Sequence, residues 1–450
     1  MPHSPHRAEW SSRLYTPRAH HPLAALELPE DGLAPLTHWM QRWMYDRLHP
    51  PQADCSAEKF IVMHEHQGGI GAYVSVSTAV LALAVEEGRQ FVFARTTDNQ
   101  HLGQVWCNEG SYEWCSPTDR SMQNWVLPPS ACSLADVPTA RLADKNVLDC
   151  YGSSSRHPAR HGHPGVTVPY CVARHGPNEV SITNESRFIN LRGTALTPYD
   201  SILWMPTEAQ LRLRAVQPGM SAYEMRYWWR VQASAYLMRL SARSVQRVAE
   251  LRWDDALMLR FPNASVDHPV LSGSSVLPAG TISIHVREGD KGMESKPLTI
   301  ESYFTTAAET IAANPLGLAR VVFLSTENPA NVKNLDNFTK RPVGPGYLKA
   351  GWYGVASSMP RHNSNGHTQN KLYGTERMTA YYFLQMLLAL ECDAFIGWRA
   401  SGWNRLVDAL RCVWVPKCKH PYIDVGTKRY VRPGEAVRDD VYSWQGPYWW

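Results

Sequence analysis

The first ordered hydrophobic pattern begins near Lys59. The consecutive apolar residues Phe60-Ile61-Val62-Met63 predict a buried strand, and His66-Gln67-Gly68-Gly69-Ile70-Gly71 follows as a loop. From Ala72 to Glu87 the apolar positions Val76, Val80, Leu83 and Val85 suit a helix laid on a sheet. Gly88 ends that helix, and Gln90-Phe91-Val92-Phe93-Ala94 is the next strand. Strand, helix and strand at this spacing predict parallel pairing.

Between about Thr96 and Ser201 the pattern turns irregular, rich in Trp, Cys, Pro and His, and residues 153–165 read as an exposed loop. A helical section runs from about Thr207 to Leu251 and includes Trp228-Trp229. Pro262–Gly280 has the Pro, Ser and Gly content of a boundary. A second α/β pattern then opens with the strand Thr281–Arg287, a helix near Ile300–Ala313 and the strand Val321–Ser325. A polar loop is expected from Lys340 to Lys371, then a helix near Glu376–Glu391, a strand over Asp393–Trp398 and a helix from Trp403. The fold class predicted is α/β, with two Rossmann-like domains and a helical segment between them. Its parts are an N-terminal extension (1–56), an N-terminal α/β domain with irregular Trp/Cys-rich loops (57–204), the helical segment (205–262), a C-terminal nucleotide-sugar-binding α/β domain (278–425) and an aromatic tail (426–450). Ligands of such folds bind at the carboxyl ends of the strands, here in the expected cleft.

Composition narrows the function classes. A net charge of +4, with basic and acidic residues interspersed, argues against a nucleic-acid partner. Seventeen Trp provide flat apolar faces that serve either cores or stacking on sugar rings. Cys107, Cys115, Cys132, Cys150 and Cys171 share one loop-rich stretch in which bridges are expected. Sequons at Asn184, Asn263 and Asn337 agree with a secretory lumen. The sequence shows no signal peptide and no apolar run of membrane-spanning length, so the chain reads either as cytosolic or as a luminal catalytic part without its anchor. The second reading is preferred.

The densest chemistry lies in His285-Val286-Arg287-Glu288-Gly289-Asp290-Lys291 and Glu294, where an apolar strand runs into a cluster of charge. The planar fork of Arg287 suits two phosphate oxygens, and Lys291 adds a second positive charge. Asp290 is placed to orient Arg287, and Glu294 to take a proton from an incoming hydroxyl. A salt-bridged surface loop is the competing reading of the same residues. Gly68, Gly69 and Gly71 stand between a strand and a helix, where free amides hold an anion or where a tight turn needs glycine. Ser401 and Gly402 open a helix, so Ser401 reads either as its N-cap or as a phosphate contact. His157, His161 and His163 lack the spacing of a zinc site, and no Asp-x-Asp arrangement is framed to hold a metal against a diphosphate.

With these blocks in place, the stretch from about Lys59 to Asp424 resembles the fucosyltransferase superfamily. That group includes core α1,6-fucosyltransferases, bacterial nodulation fucosyltransferases and protein O-fucosyltransferases, and the algal-type members are nearest in pattern. The resemblance rests on Gly68–Gly71 with its helix, Trp125–Cys132, Trp228-Trp229 with Tyr236-Leu237-Met238-Arg239, and His285-Val286-Arg287 with Asp290-Lys291. It continues through Val322–Pro329 and Asp393–Gly397 to Ser401-Gly402-Trp403-Asn404-Arg405. It implies a GT-B-like fold and an inverting, metal-independent transfer of fucose from GDP-fucose to a glycan or glycoprotein acceptor such as an N-glycan, in the secretory lumen, with the Golgi as the expected compartment. Carried over by position, Arg287 would contact the donor β-phosphate, His285 would sit near the nucleotide, Glu327 would face the ribose, Ser401 would bond the diphosphate and Glu294 would be the base. Glu288 stands where many core-type members have a second Arg, and Gln385 where an Asp often helps to select guanine. Two alternatives therefore stay open: a GT-B-like transferase using another nucleotide sugar, and a catalytically silent glycan-binding protein of the same fold.

Overall fold

The computed structural model describes residues 36–51, 53–64, 70–94, 125–133, 136–137, 148–149, 188–192, 205–220, 222–253, 277–288, 298–313, 317–340, 352–363, 369, 372–399, 401–415, 417–418, 420–427 and 429–430. These residues form two compact units that part between Arg239 and Leu240.

The N-terminal unit is built on β1 (Phe60–His64), whose first four residues are all buried, as a strand covered on both faces requires. Helix α2 (Ile70–Glu86) follows the glycine stretch. It begins two residues earlier than the apolar spacing implied, so Gly71 lies in its first turn and not in the loop. Gly88 turns the chain with φ at +62°, which only glycine adopts freely, and β2 (Gln90–Ala94) then pairs parallel to β1 from Phe60↔Gln90 to His64↔Ala94. With β3 (Leu148–Asp149) and β4 (Phe188–Arg192) the sheet has the order β2-β1-β4-β3, and its pairings are parallel.

Around it stand α1 (Thr37–Leu48), α3 (Thr207–Val216) and α4 (Ala222–Leu237), with α2 packed on α4. The Trp228-Trp229 pair is part of this core. Both indoles are buried, and Trp229 Nε1 donates to the carbonyl of Thr78 on α2 at 3.1 Å. Cys132 is disulfide-bonded to Cys55, outside the stretch in which the sequence suggested its partner, and it packs with Phe60, Val62, Val92 and Val137. Cys107, Cys115, Cys150 and Cys171 lie outside the described residues, as do His157, His161 and His163.

The C-terminal unit begins with α5 (Ala242–Trp253) and then alternates: β5 (Ile282–Val286), α6 (Ile300–Ala313), β6 (Val321–Thr326), α7 (Pro329–Lys340), β7 (Tyr353–Val355), α8 (Thr375–Glu391), β8 (Ala394–Gly397), α9 (Gly402–Val413), β9 (Tyr422–Asp424) and β10 (Arg429–Tyr430). Its sheet has the order β10-β9-β8-β5-β6-β7, parallel except for the last hairpin. The chain starts in the middle at β5, moves outward through β6 and β7, then returns to the other side of β5 for β8 and β9. That reversal makes the carboxyl ends of β5 and β8 the topological switch point of a doubly wound sheet, where such folds bind ligands. The segment expected to be one polar loop between Lys340 and Lys371 contains β7. Trp352 is buried beside that strand as an apolar anchor. No helix among the described residues is long and apolar enough to cross a membrane.

Candidate active site

The register of the central strands sets the site. Val286 on β5 faces Thr326 on β6, so the residues that follow each strand, Arg287 and Glu327, emerge side by side. Arg287 Nη1 donates to Glu327 Oε1 and, at 3.0 Å, to the carbonyl of Glu288. The same carboxylate oxygen accepts the Glu288 backbone N–H at 2.8 Å. The side chain of Arg287 is 23% exposed and that of Glu327 only 10%, so the cation faces solvent more than its partner does. Glu288 Oε2 accepts from Asn328 Nδ2, while Asn328 Oδ1 accepts the Ala330 N–H at 2.9 Å, the N-cap bond of α7.

His285, the penultimate residue of β5, reaches the other side of the switch point. Its ring centroid lies 6.1 Å from that of Trp403 in the first turn of α9. Nδ1 is buried without a partner among the described residues. Burial, then the neighbouring Arg287 charge, lower the imidazole pKa to about 3 against a weaker opposing hydrogen bond that the ring donates to the Asn404 side chain, so the ring is neutral at physiological pH.

Ser401 occupies the N-cap position of α9 and is buried, yet its hydroxyl makes no capping hydrogen bond. Ser401 thus stands at the N-cap without capping the helix through its hydroxyl. Its backbone N–H donates to the Trp398 carbonyl at 2.9 Å, and its carbonyl accepts from Arg405 at 3.2 Å. No acidic residue stands in the first turn of α9, where the amides and the helix dipole favour an anion. Gly402 is the first helical residue.

Gln385 on α8 is buried, and its Nε2 donates to Ser357 Oγ and lies 3.9 Å from Met359 Sδ. Its Oε1 has no partner among the described residues. Ser357 Oγ also accepts from Arg361 Nη2 at 3.3 Å, and Arg361 donates from Nε to the Thr326 carbonyl at 3.0 Å. Burial lowers the Arg361 pKa to about 10. This second arginine, anchored to the end of β6, carries no motif by which the sequence would reveal it. Tyr303 on α6 and Tyr382 on α8 were also missed. Their hydroxyl pKa values are raised, chiefly by burial and also by the Glu327 charge, which both of them sense. Asn328-Pro329, in contrast, is a helix-start pattern that the sequence does display.

The structure therefore brings together His285, Arg287 and Glu327, and His285 links them to the first turn of α9, which Ser401 and Gly402 open. Asp290, Lys291, Glu294, Gly68 and Gly69 lie outside the described residues, and Gly71 belongs to the N-terminal unit. Among the described residues, no group of three or more His, Cys, Asp or Glu side chains is placed to hold a metal ion. A cationic fork and a carboxylate-free helix N-terminus at the ends of neighbouring strands suit a ligand with two or more phosphate oxygens.

No protein-family model and no curated protein matches the chain. Among solved structures it is similar to Arabidopsis thaliana FUT1, in a mutant form in complex with GDP, at 12% identity and a TM-score of 0.41, covering 85% of this chain and 78% of that one. It is similar to the fucosyltransferase NodZ from Bradyrhizobium at 13% identity and a TM-score of 0.41, covering 84% of this chain and 99% of that one. It is also similar to POFUT1 in complex with GDP-fucose at 9% identity and a TM-score of 0.35, covering 80% of this chain and 96% of that one.

Proposed function

We propose that the protein is an inverting, metal-independent glycosyltransferase of GT-B-like type that transfers fucose from GDP-fucose to a glycan acceptor in the secretory lumen. The observation that carries this reading is the switch point of the C-terminal sheet, where Arg287 leaves β5 and His285 touches the first turn of α9. There Arg287 and the leading amides of α9, opened by Ser401 and Gly402, hold the donor diphosphate. As the bond to the sugar breaks, negative charge grows on the departing diphosphate. A fixed guanidinium then stabilises the transition state more than the ground state. Neutral His285 lines the nucleotide side without adding charge, and Gln385 selects the base. In this reading Lys291 assists at the phosphates, Asp290 supports the cluster and Glu294 takes the acceptor proton on the opposite face, which inverts the anomeric centre. The Cys55–Cys132 bridge supports an oxidising compartment.

The deciding experiment is thermal stabilisation of the full chain by GDP, GDP-fucose, GDP-mannose, UDP and ADP, with and without EDTA. A shift confined to GDP and GDP-fucose, unaltered by EDTA and lost in Arg287→Ala, supports the reading, and fucose release from GDP-fucose completes it. A shift with UDP or ADP alone overturns the donor. Absence of any shift favours the silent glycan-binding alternative.

A further inference from the structure

We propose that Glu327 is a positioning residue: with Glu288 and Asn328 behind it, it fixes the guanidinium of Arg287 in the attitude that receives a diphosphate. This rests on the nucleotide-diphosphate reading of the site. The two dipeptides after β5 and β6 are hooked to each other reciprocally. Arg287 donates to Glu327, Asn328 donates to Glu288, and the Glu288 N–H donates to Glu327 at 2.8 Å. A carboxylate oxygen that accepts two donors from one neighbouring loop has little freedom left. Asn328 in turn is tied to α7 through the Ala330 N–H and to the end of β6 through its own N–H, which donates to Thr326 Oγ1 at 3.1 Å. The chain of contacts thus runs from a rigid helix start to the tip of Arg287.

Electrostatics alone predicts the opposite role. A carboxylate beside Arg287 lowers the pull of that cation on an anion, so its removal would tighten diphosphate binding. Positioning predicts that binding weakens when the geometry is lost, whatever happens to the charge. The sign of the effect therefore separates the two.

The test uses isothermal titration of GDP, UDP, ADP and inorganic pyrophosphate into the full chain and two conservative variants, with ligand-free melting curves to confirm folding. Glu327→Gln keeps an oxygen able to accept both donors but removes the charge. Glu327→Asp keeps the charge but is one methylene too short to reach both donors. The expected order is a loss of at most about threefold for Glu327→Gln and of about tenfold or more for Glu327→Asp, since oriented donors to an anion are the strong ones. Wild-type affinity in Glu327→Asp, or tighter binding in Glu327→Gln, would overturn the positioning role and leave the nucleotide site standing. No binding of any of the four ligands by the wild type would overturn both. If UDP binds in place of GDP, only the base choice falls, and the variants are read with UDP. Asn328→Ala provides an independent arm: a loss of severalfold in affinity is expected, and wild-type affinity would remove Asn328 from the device.

Discussion

Asn404 packs into the space above Gly397. A Cβ placed on Gly397 would stand 2.6 Å from Asn404 Cγ, and the Asn404 amide donates to the Trp398 carbonyl at 3.0 Å. The glycine at the end of β8 is therefore what allows the first turn of α9 to approach the sheet. Gly397→Ala is expected to displace that turn and to cost about 1–3 kcal/mol of stability, as overpacking of a filled site does. Because the same turn meets His285, nucleotide affinity should fall as well. Chemical denaturation and GDP titration of the variant measure the two effects. An alanine variant as stable as the wild type would show that α9 has room to move.

Arg252 on α5 holds Glu391 at the end of α8 in a bidentate pair, with side-chain exposures of 3% and 10%. Arg252→Ala leaves that carboxylate buried without its cation and is expected to destabilise the C-terminal unit by about 3–5 kcal/mol. Arg252→Met combined with Glu391→Leu should recover most of the loss, because an apolar pair needs no ion partner. Calorimetry of the three proteins decides it. A double variant no better than Arg252→Ala would mean that the pair contributes through the Leu277 N–H, which Glu391 also accepts, and not through charge.

The Cys55–Cys132 bridge closes a segment with a sequence separation of 77 in the N-terminal unit. Cross-links over long segments restrict the unfolded chain, so Cys55→Ser is expected to lower stability by about 2–4 kcal/mol. Cys132 is packed against Phe60 and Val62, which makes Cys55, at the periphery, the cleaner position to change. Denaturation with and without reductant checks this. A wild-type transition that reductant leaves unmoved would show that the bridge contributes little to stability.

The parts of the fold that could be read in advance are those where one physical signal dominates. β1 opens with a short, continuous apolar run, β5 alternates Ile282, Ile284 and Val286 with Ser283 and His285, and α6 spans Ile300–Ala313 as its spacing predicts. β7 escaped because it has three residues at the sheet edge and takes its place from pairing with β6, Val321↔Tyr353 to Phe323↔Val355, not from its own pattern. The location of Arg287 at a strand end was legible for the same reason as the strand itself. Its partner Glu327 was not, since a contact across forty residues follows only from the β5–β6 register. Ser401 shows the remaining limit: its place before α9 is a sequence signal, whereas the failure of its hydroxyl to cap the helix is a matter of local geometry.

His285 makes the site sensitive to acid through folding and not through ligand protonation. In the folded chain its pKa is lowered to about 3, chiefly by burial and next by Arg287, while the unfolded chain titrates near the usual value of about 6.5. Between those values the unfolded state takes up a proton that the folded state refuses, so stability is complete above about pH 6.5 and declines as the pH falls. From pH 7 to about pH 5 the loss attributable to this ring is about 1–2 kcal/mol. His49 in the N-terminal unit, lowered to about 4 by burial and then by Arg239, adds a loss of the same sign. His285→Asn should therefore flatten, without abolishing, the fall in melting temperature between neutral and mildly acidic buffer. Nucleotide affinity of the wild type should show no inflection from this ring over the same range, because it stays neutral throughout. Identical acid slopes for the wild type and His285→Asn would remove His285 as the source, and an affinity inflection near the ordinary histidine value that vanishes in the variant would mean that the ring is charged when the ligand binds.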